Sequence, residues 1–269
     1  MLTSLPLVLT LKLLFMLLAL AAALRCAGRV DQLRVWQSDE GLHALAAALA
    51  GAMLGAKLGF ALQYPQLVFA FDVRALWTVV AGNSTPGAVA GAATGLMLAL
   101  RSRAAVFGVA LLPGLFAGIF ILDLGAVVWT LSEAGFGAPA RRWGVNFGDG
   151  VSRHPVMLYE AAAMAGLIWA ARVGSAAALN PGLRISVMGS ACFGIWFLLG
   201  FLKAPFGPVS VLEAVSLQPA IYRPGFTAEQ WLCLLVVVRL MLHLMLHCGG
   251  HGWRLWQRQE PRSRSNSGV

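Results

Sequence analysis

Long apolar runs, each close to the length of one bilayer crossing and parted by short loops, constrain this chain more than any other feature. A bilayer core is about 30 Å thick and a helix rises about 1.5 Å per residue, so roughly 20 apolar residues make one span. That ruler predicts helices near Leu5–Leu24, Leu42–Leu62, Thr85–Leu100, Ala104–Leu122, Pro155–Ala171, Ile185–Leu202 and Thr227–Leu246, about seven crossings in all. Two further stretches, Pro65–Val80 and Asp123–Gly135, are apolar but broken by charge or glycine, and read as interfacial or re-entrant. The runs lack the alternation of membrane β-strands, so the expected fold class is an all-α polytopic membrane protein. Composition points the same way: 59% hydrophobic and 12% charged, where soluble domains carry about 45–50% and about 25%.

A net charge of +9 in a soluble chain would suggest nucleic acid. Here the cations sit in loops between apolar runs, so anionic lipid is the expected partner and nucleic acid is not. Arg25, Arg29 and Arg34 follow the first predicted helix, Arg101 and Arg103 the third, Arg172 and Arg184 the fifth, and Arg254, Arg258, Arg262 and Arg264 the seventh. All these groups fall on one side. Cationic loops stay cytoplasmic, which sets the amino terminus outside and the carboxyl terminus inside. The stretch Leu2–Leu24 is too long for a typical signal peptide and is read as the first helix. Residues 1–248 are expected to form one helical membrane domain. The helix should end at Gly249–Gly250, leaving 249–269 as a polar, basic, disordered cytoplasmic tail. On the other side Arg74, Arg141, Arg142, Arg153, Lys203 and Arg223 break the charge bias and call for a local explanation.

Glycines at four-residue spacing, Gly51, Gly55 and Gly59 in the second helix and Gly87, Gly91 and Gly95 in the third, predict close backbone approach. Pro113 should kink the fourth. Cys26, Cys192, Cys233 and Cys248 show no pairing pattern, so no disulfide framework or zinc ribbon is expected.

The stretch most suggestive of chemistry is Arg141–Glu160, RRWGVNFGDGVSRHPVMLYE. Pro155 suits the first turn of a helix, and helix starts attract anions through free N–H groups and dipole. With Arg142 and Arg153 beside it, this loop is either a phosphate site or a cationic loop resting on lipid headgroups. His154 is a general base in reserve or a histidine capping the helix. Glu160 lies one turn deeper, where a carboxylate is costly unless it is paired or faces a polar cavity. Tyr159 reads as an interfacial anchor before it reads as a catalytic group. Lys57 and Lys203 are candidates for holding an anionic headgroup, with snorkelling as the plainer role, preferred for Lys203. His243, His247 and His251, with Cys248, recur at helical spacing. They are weighed as metal ligands and read instead as interfacial histidines, because Gly249 and Gly250 should interrupt the helix.

RHPVMLYE, Arg153 to Glu160, resembles the R-H-P-x-x-L-Y-E segment of the bacterial prolipoprotein diacylglyceryl transferases, and WGVNFGDG, Trp143 to Gly150, resembles that family's R-x-G-N-F-x-N-G-E signature. Weaker similarity extends over most of the chain. GAKLGFALQY (Gly55 to Tyr64) resembles G-G-R-x-G-Y-x-x-x-Y, and GNSTPGAVAG (Gly82 to Gly91) resembles G-M-S-F-H-G-G-x-x-G. GFLKAP (Gly200 to Pro205) resembles E-F-x-R-x-P, and GFTAEQWL (Gly225 to Leu232) the start of the family's final helix. Departures are visible too. Pro86 stands at the family's histidine and Val151 at the glutamate of N-G-E. Cys192 and Trp196 replace a tyrosine and an arginine, and Lys57 and Phe60 an arginine and a tyrosine.

The resemblance implies a bacterial inner-membrane enzyme that moves the diacylglyceryl group of phosphatidylglycerol onto a lipobox cysteine thiol, with a prolipoprotein signal peptide as partner. It implies His154, Arg153 and Glu160 as catalytic residues, and Arg142, Asn146, Gly150, Tyr159 and Lys57 around the lipid phosphate. Glu160 is expected to fix His154 or Arg153. No metal or organic cofactor is required. The alternative left open is a non-catalytic paralogue that binds phospholipid or lipoprotein in the same fold.

Overall fold

The computed structural model describes residues 5–27, 39–70, 72–100, 104–130, 137–140, 143–146, 150–173, 179–203 and 220–259. The helices in chain order are α1 (Leu5–Ala27), α2 (Asp39–Gln63), α3 (Pro65–Phe69), α4 (Val73–Ala81), α5 (Thr85–Leu100), α6 (Ala104–Thr130), α7 (Val156–Val173), α8 (Pro181–Leu199) and α9 (Ala228–Gln259). Every predicted span is a helix, and the chain is mostly helical. Gly41–Gln63, Pro181–Leu199 and Ala228–Leu246 are each long and apolar enough to cross a membrane. Leu13–Ala23, Thr85–Leu100 and Leu111–Gly125 are shorter apolar stretches. Large aliphatic side chains such as Leu17, Met53, Leu98 and Leu235 are exposed on the outside of the bundle, as a lipid-facing surface requires.

Local chemistry sets several boundaries. Asn180 caps α8 by accepting from Leu183 N at 2.9 Å, and Pro181 follows in the first turn. Pro155 precedes α7 and accepts from Leu158 and Tyr159 through its carbonyl. At α9, Thr227 and Gln230 form a reciprocal capping box: Thr227 N donates to Gln230 Oε1 at 3.0 Å and Gln230 N to Thr227 Oγ1 at 3.3 Å.

Two expectations are corrected. α6 does not stop at Leu122 but runs through Asp123 to Thr130. The charge is no obstacle, because Asp123 faces the protein interior rather than lipid. α9 passes through Gly249 and Gly250 to Gln259; glycine in a helix costs only about 1 kcal/mol and does not force an end. Two small hairpins punctuate the otherwise helical fold, as the all-α class allows. β1 (Val145–Asn146) pairs with β2 (Ser152–Arg153), and β3 (Ile221–Tyr222) with β4 (Phe226–Thr227), both antiparallel.

Packing follows the small residues. α2 and α5 run antiparallel with Gly51 on Gly91, Gly55 on Gly87 and Gly59 on Ser84, so close that a methyl on Gly55 would overlap the Gly87 carbonyl. α1 lies along α6 in the same manner, with Gly114 against the Ala23 carbonyl. The main core joins four helices through Phe116 and Ile119 of α6, Met164 and Leu167 of α7, Cys192 and Trp196 of α8, and Cys233 of α9. Both hairpins sit at one end of this bundle, called here the hairpin end.

Candidate functional site at the hairpin end

The loop before α7 is built by backbone pairing. Residues 137–140 zip onto the strand leading into α7: Gly137 N donates to His154 O, His154 N to Ala138 O and Ala140 N to Ser152 O. Ala138 N also reaches Leu202 O at 2.7 Å, which ties this layer to the end of α8. On the other edge, Val145 faces Arg153 and Asn146 faces Ser152. Asn146 Oδ1 accepts from Gly150 N at 3.2 Å, and Gly150 has φ +77°, a left-handed backbone that suits glycine. Arg142 lies outside the described residues. Arg153 is half-buried on β2.

His154 Nδ1 lies 3.5 Å from Tyr159 Oη, and the tyrosine hydroxyl donates to the Trp143 carbonyl at 3.3 Å. Trp143 is held at φ +64°, a conformation that costs a side-chain-bearing residue about 1–2 kcal/mol. The Tyr159 hydrogen bond helps to offset that cost. Arg153, His154, Tyr159, Asn146 and Gly150 are therefore brought into one layer.

Glu160 is not in that layer. It is buried and accepts from Trp196 Nε1 at 2.5 Å, rather than fixing His154 or Arg153 as expected. Adjacent helical residues point about 100° apart, so Tyr159 at the loop side turns Glu160 into the bundle. Lys57 is placed away from a headgroup role as well. Its ammonium donates to the Val80 carbonyl, to Gly82 O at 2.8 Å and to Asn83 Oδ1 at 2.9 Å. These bonds match its three donors and cap the carboxyl end of α4.

Lys203 does not snorkel alone: it pairs with Glu229 at 3.4 Å, and Glu229 Oε1 accepts from Ser84 Oγ at 2.7 Å. Ser84 in turn accepts from Gly87 N at the start of α5. This link joins α5, α8 and α9 at the hairpin end, and Lys203 pairs with Gly137 in a β-bridge beside the His154 layer. The Glu229 carboxylate holds Lys203 charged well above the ordinary lysine range. Sequence reasoning missed Ser84 and Glu229. An acid in the first turn of a helix and a serine before one were the available signals, but nothing local says that they meet. At the opposite end, His243 Nδ1 lies 2.8 Å from Ser186 Oγ. The side chains of His247, Cys248 and His251 lie outside the described ones, and no cluster of three metal-ligating side chains occurs among the described residues.

The arrangement offers two cations, an imidazole near a phenol, and a turn closed by an asparagine amide, all at one end of an apolar bundle. No protein-family model matches the chain, and no curated protein matches its sequence significantly.

Proposed function

We propose that this chain is a multi-pass protein of a bacterial cytoplasmic membrane, crossing it seven times with the amino terminus outside, and that it transfers diacylglyceryl from phosphatidylglycerol to the lipobox cysteine of a prolipoprotein. The observation that carries this reading is the layer of Arg153, His154, Tyr159, Asn146 and Gly150 next to the Lys203–Glu229 pair. It sets positive charge for a phosphate beside an imidazole that can serve as a general base. In the reaction the thiol S–H bond breaks and its proton passes to His154. The sulfur forms a bond to the glyceryl carbon as that carbon's bond to the phosphate oxygen breaks. Glycerol phosphate leaves with the electron pair, its growing charge met by Arg153.

A second reading, a non-catalytic phospholipid or lipoprotein binder, is favoured by two observations: Pro86 occupies the position where the resemblance expects a histidine, and the Lys57 donors are spent on α4. A mass-shift assay separates the two. Purified protein in phosphatidylglycerol vesicles is given a lipobox peptide, or the same peptide with serine for cysteine. The transferase reading expects a diacylglyceryl-sized gain on the cysteine peptide alone, reduced about 100-fold or more in His154→Ala. No gain from protein that retains bound phospholipid supports the binder, and full activity in His154→Ala removes the imidazole from the mechanism.

A further inference from the structure

The chain between α2 and α5 leaves the bundle and returns to it at the same end. α2 reaches Gln63, and α5 comes back antiparallel to it with Ser84 on Gly59. Both anchors of 64–84 therefore lie at the hairpin end, where Tyr222 Oη donates to Leu62 O and Ala220 N to Gln63 O. Between the anchors, α3 has five residues and α4 nine. At about 1.5 Å per residue α4 is about 13 Å long, less than half of a bilayer core about 30 Å thick. Neither helix crosses a membrane, and the segment has to turn back at its boundary.

α4 has two unlike faces. Ala75 is buried, and Thr78 and Val79, three and four residues on, are half-buried on the same side. Val73, Leu76 and Val80 form the opposite face and are 80%, 53% and 60% exposed; Phe69, the last residue of α3, is 72% exposed just before them. This face is not a frayed end. Lys57 of α2 holds the carboxyl end of α4 through the carbonyls of Val80 and Gly82 and through Asn83. The face also continues a surface that lipid already covers: Leu54, Leu58 and Leu62 are exposed at four-residue steps along α2, up to the turn into α3. A second copy seated on α4 would have to displace that lipid. Amphipathic helices of this kind settle in the plane of a bilayer with the apolar face in the headgroup–acyl boundary.

We propose that α3 and α4 lie in the plane of the membrane at the hairpin end, with Phe69, Val73, Leu76 and Val80 seated in the acyl boundary of that leaflet. The in-plane helix is also tied to the His154 layer. Asn83 is followed by Ser84, which donates to Glu229; Glu229 pairs with Lys203, and Gly137, bridged to Lys203, donates to His154 O. Seating α4 in the leaflet therefore sets the depth at which that layer stands. The inference holds whether the layer reacts with a lipid or only binds one.

Spin-label accessibility tests it on the full chain in vesicles of phosphatidylcholine and phosphatidylglycerol. In a background whose native cysteines are replaced by serine, a nitroxide is attached in turn to Val73→Cys, Leu76→Cys and Val80→Cys. Met53→Cys, exposed near the middle of the α2 span, marks the hydrocarbon. The three α4 labels should collide more often with oxygen than with a water-soluble nickel chelate, share one depth, and all be shallower than the Met53 label. Preference for nickel at all three puts the face in water and overturns the proposal. A depth that increases steadily from one end of α4 to the other makes the segment re-entrant and overturns it as well. Shielding from both reagents, with spin–spin broadening that fades as unlabelled chain is added, gives the face to a second copy and does the same. None of the three side chains is buried, so if one substitution impairs folding the other two positions decide.

Discussion

Tyr64 lies one residue past the α2 span, 4% exposed, with its ring 4.8 Å from that of Phe60. Burial first, and the Glu229 carboxylate second, push its phenol up to about 12, with Lys203 pulling the other way. The folded protein thus keeps a proton that an unfolded chain releases near pH 10. The resulting stabilisation, on the order of 3 kcal/mol, is complete below pH 10 and lost as the pH rises to about 12. With three tyrosines in the chain, a spectrophotometric titration can resolve this: Tyr64→Phe should delete the most alkaline phenolate step, and Glu229→Gln should move that step to lower pH. A step unmoved by Glu229→Gln would mean that the carboxylate does not reach the phenol. The sequence singled out His154 and Tyr159 from one short segment, and they do meet. It did not separate Tyr159 from Glu160, because neighbours in a string diverge on a helix. Nor could it pair Ser84 with Glu229, which are distant in sequence and joined only by packing.

The contact between α2 and α5 is the element most fully legible in advance, because glycine at every fourth position has one obvious use in an apolar helix. Its cost of disruption is correspondingly high. A leucine at Gly55 must displace the backbone of Gly87 and Gly91 rather than a flexible side chain. Gly55→Leu should therefore destabilise by more than about 3 kcal/mol, seen as a lower thermal midpoint in detergent or as loss of folded protein. Gly166 on α7 has open space around it, so Gly166→Ala should stay within about 1 kcal/mol of wild type, on the stabilising side. Equal effects from the two substitutions would refute the tight antiparallel pairing. Helix ends were harder to read than helix faces. Asp123 and the Gly249–Gly250 pair look like breaks in a one-dimensional pattern, but burial accommodates the first and backbone hydrogen bonding carries the helix past the second.

Polarity is divided between the two ends of the molecule. The hairpin end collects Lys57, Ser84, Arg153, His154, Lys203 and Glu229, most of them engaged with backbone or with one another. The other end carries Arg25 and Arg172 in the last turns of α1 and α7, where a cation meets the negative end of the helix dipole, and Arg184, which donates to Ala171 O at 2.6 Å. This is why loop arginines suffice to sort the ends while saying little about the site: two of the exceptions to the charge bias, Arg153 and Lys203, fold into it. The proposed orientation follows from the same asymmetry, since arginine-bearing ends are held in the cytoplasm. It can be tested with two exposed positions, Val151 in the first hairpin and Leu179 just before α8. In a background whose native cysteines are replaced by serine, Val151→Cys should react with an impermeant maleimide on intact spheroplasts, and Leu179→Cys only after the membrane is opened. The reverse pattern would invert the protein, moving the His154 layer to the cytoplasmic face, where a translocated lipobox peptide could not reach it. Labelling of both positions from outside would instead mean that α7, the one helix between them, does not cross the membrane, and the count of seven would fall.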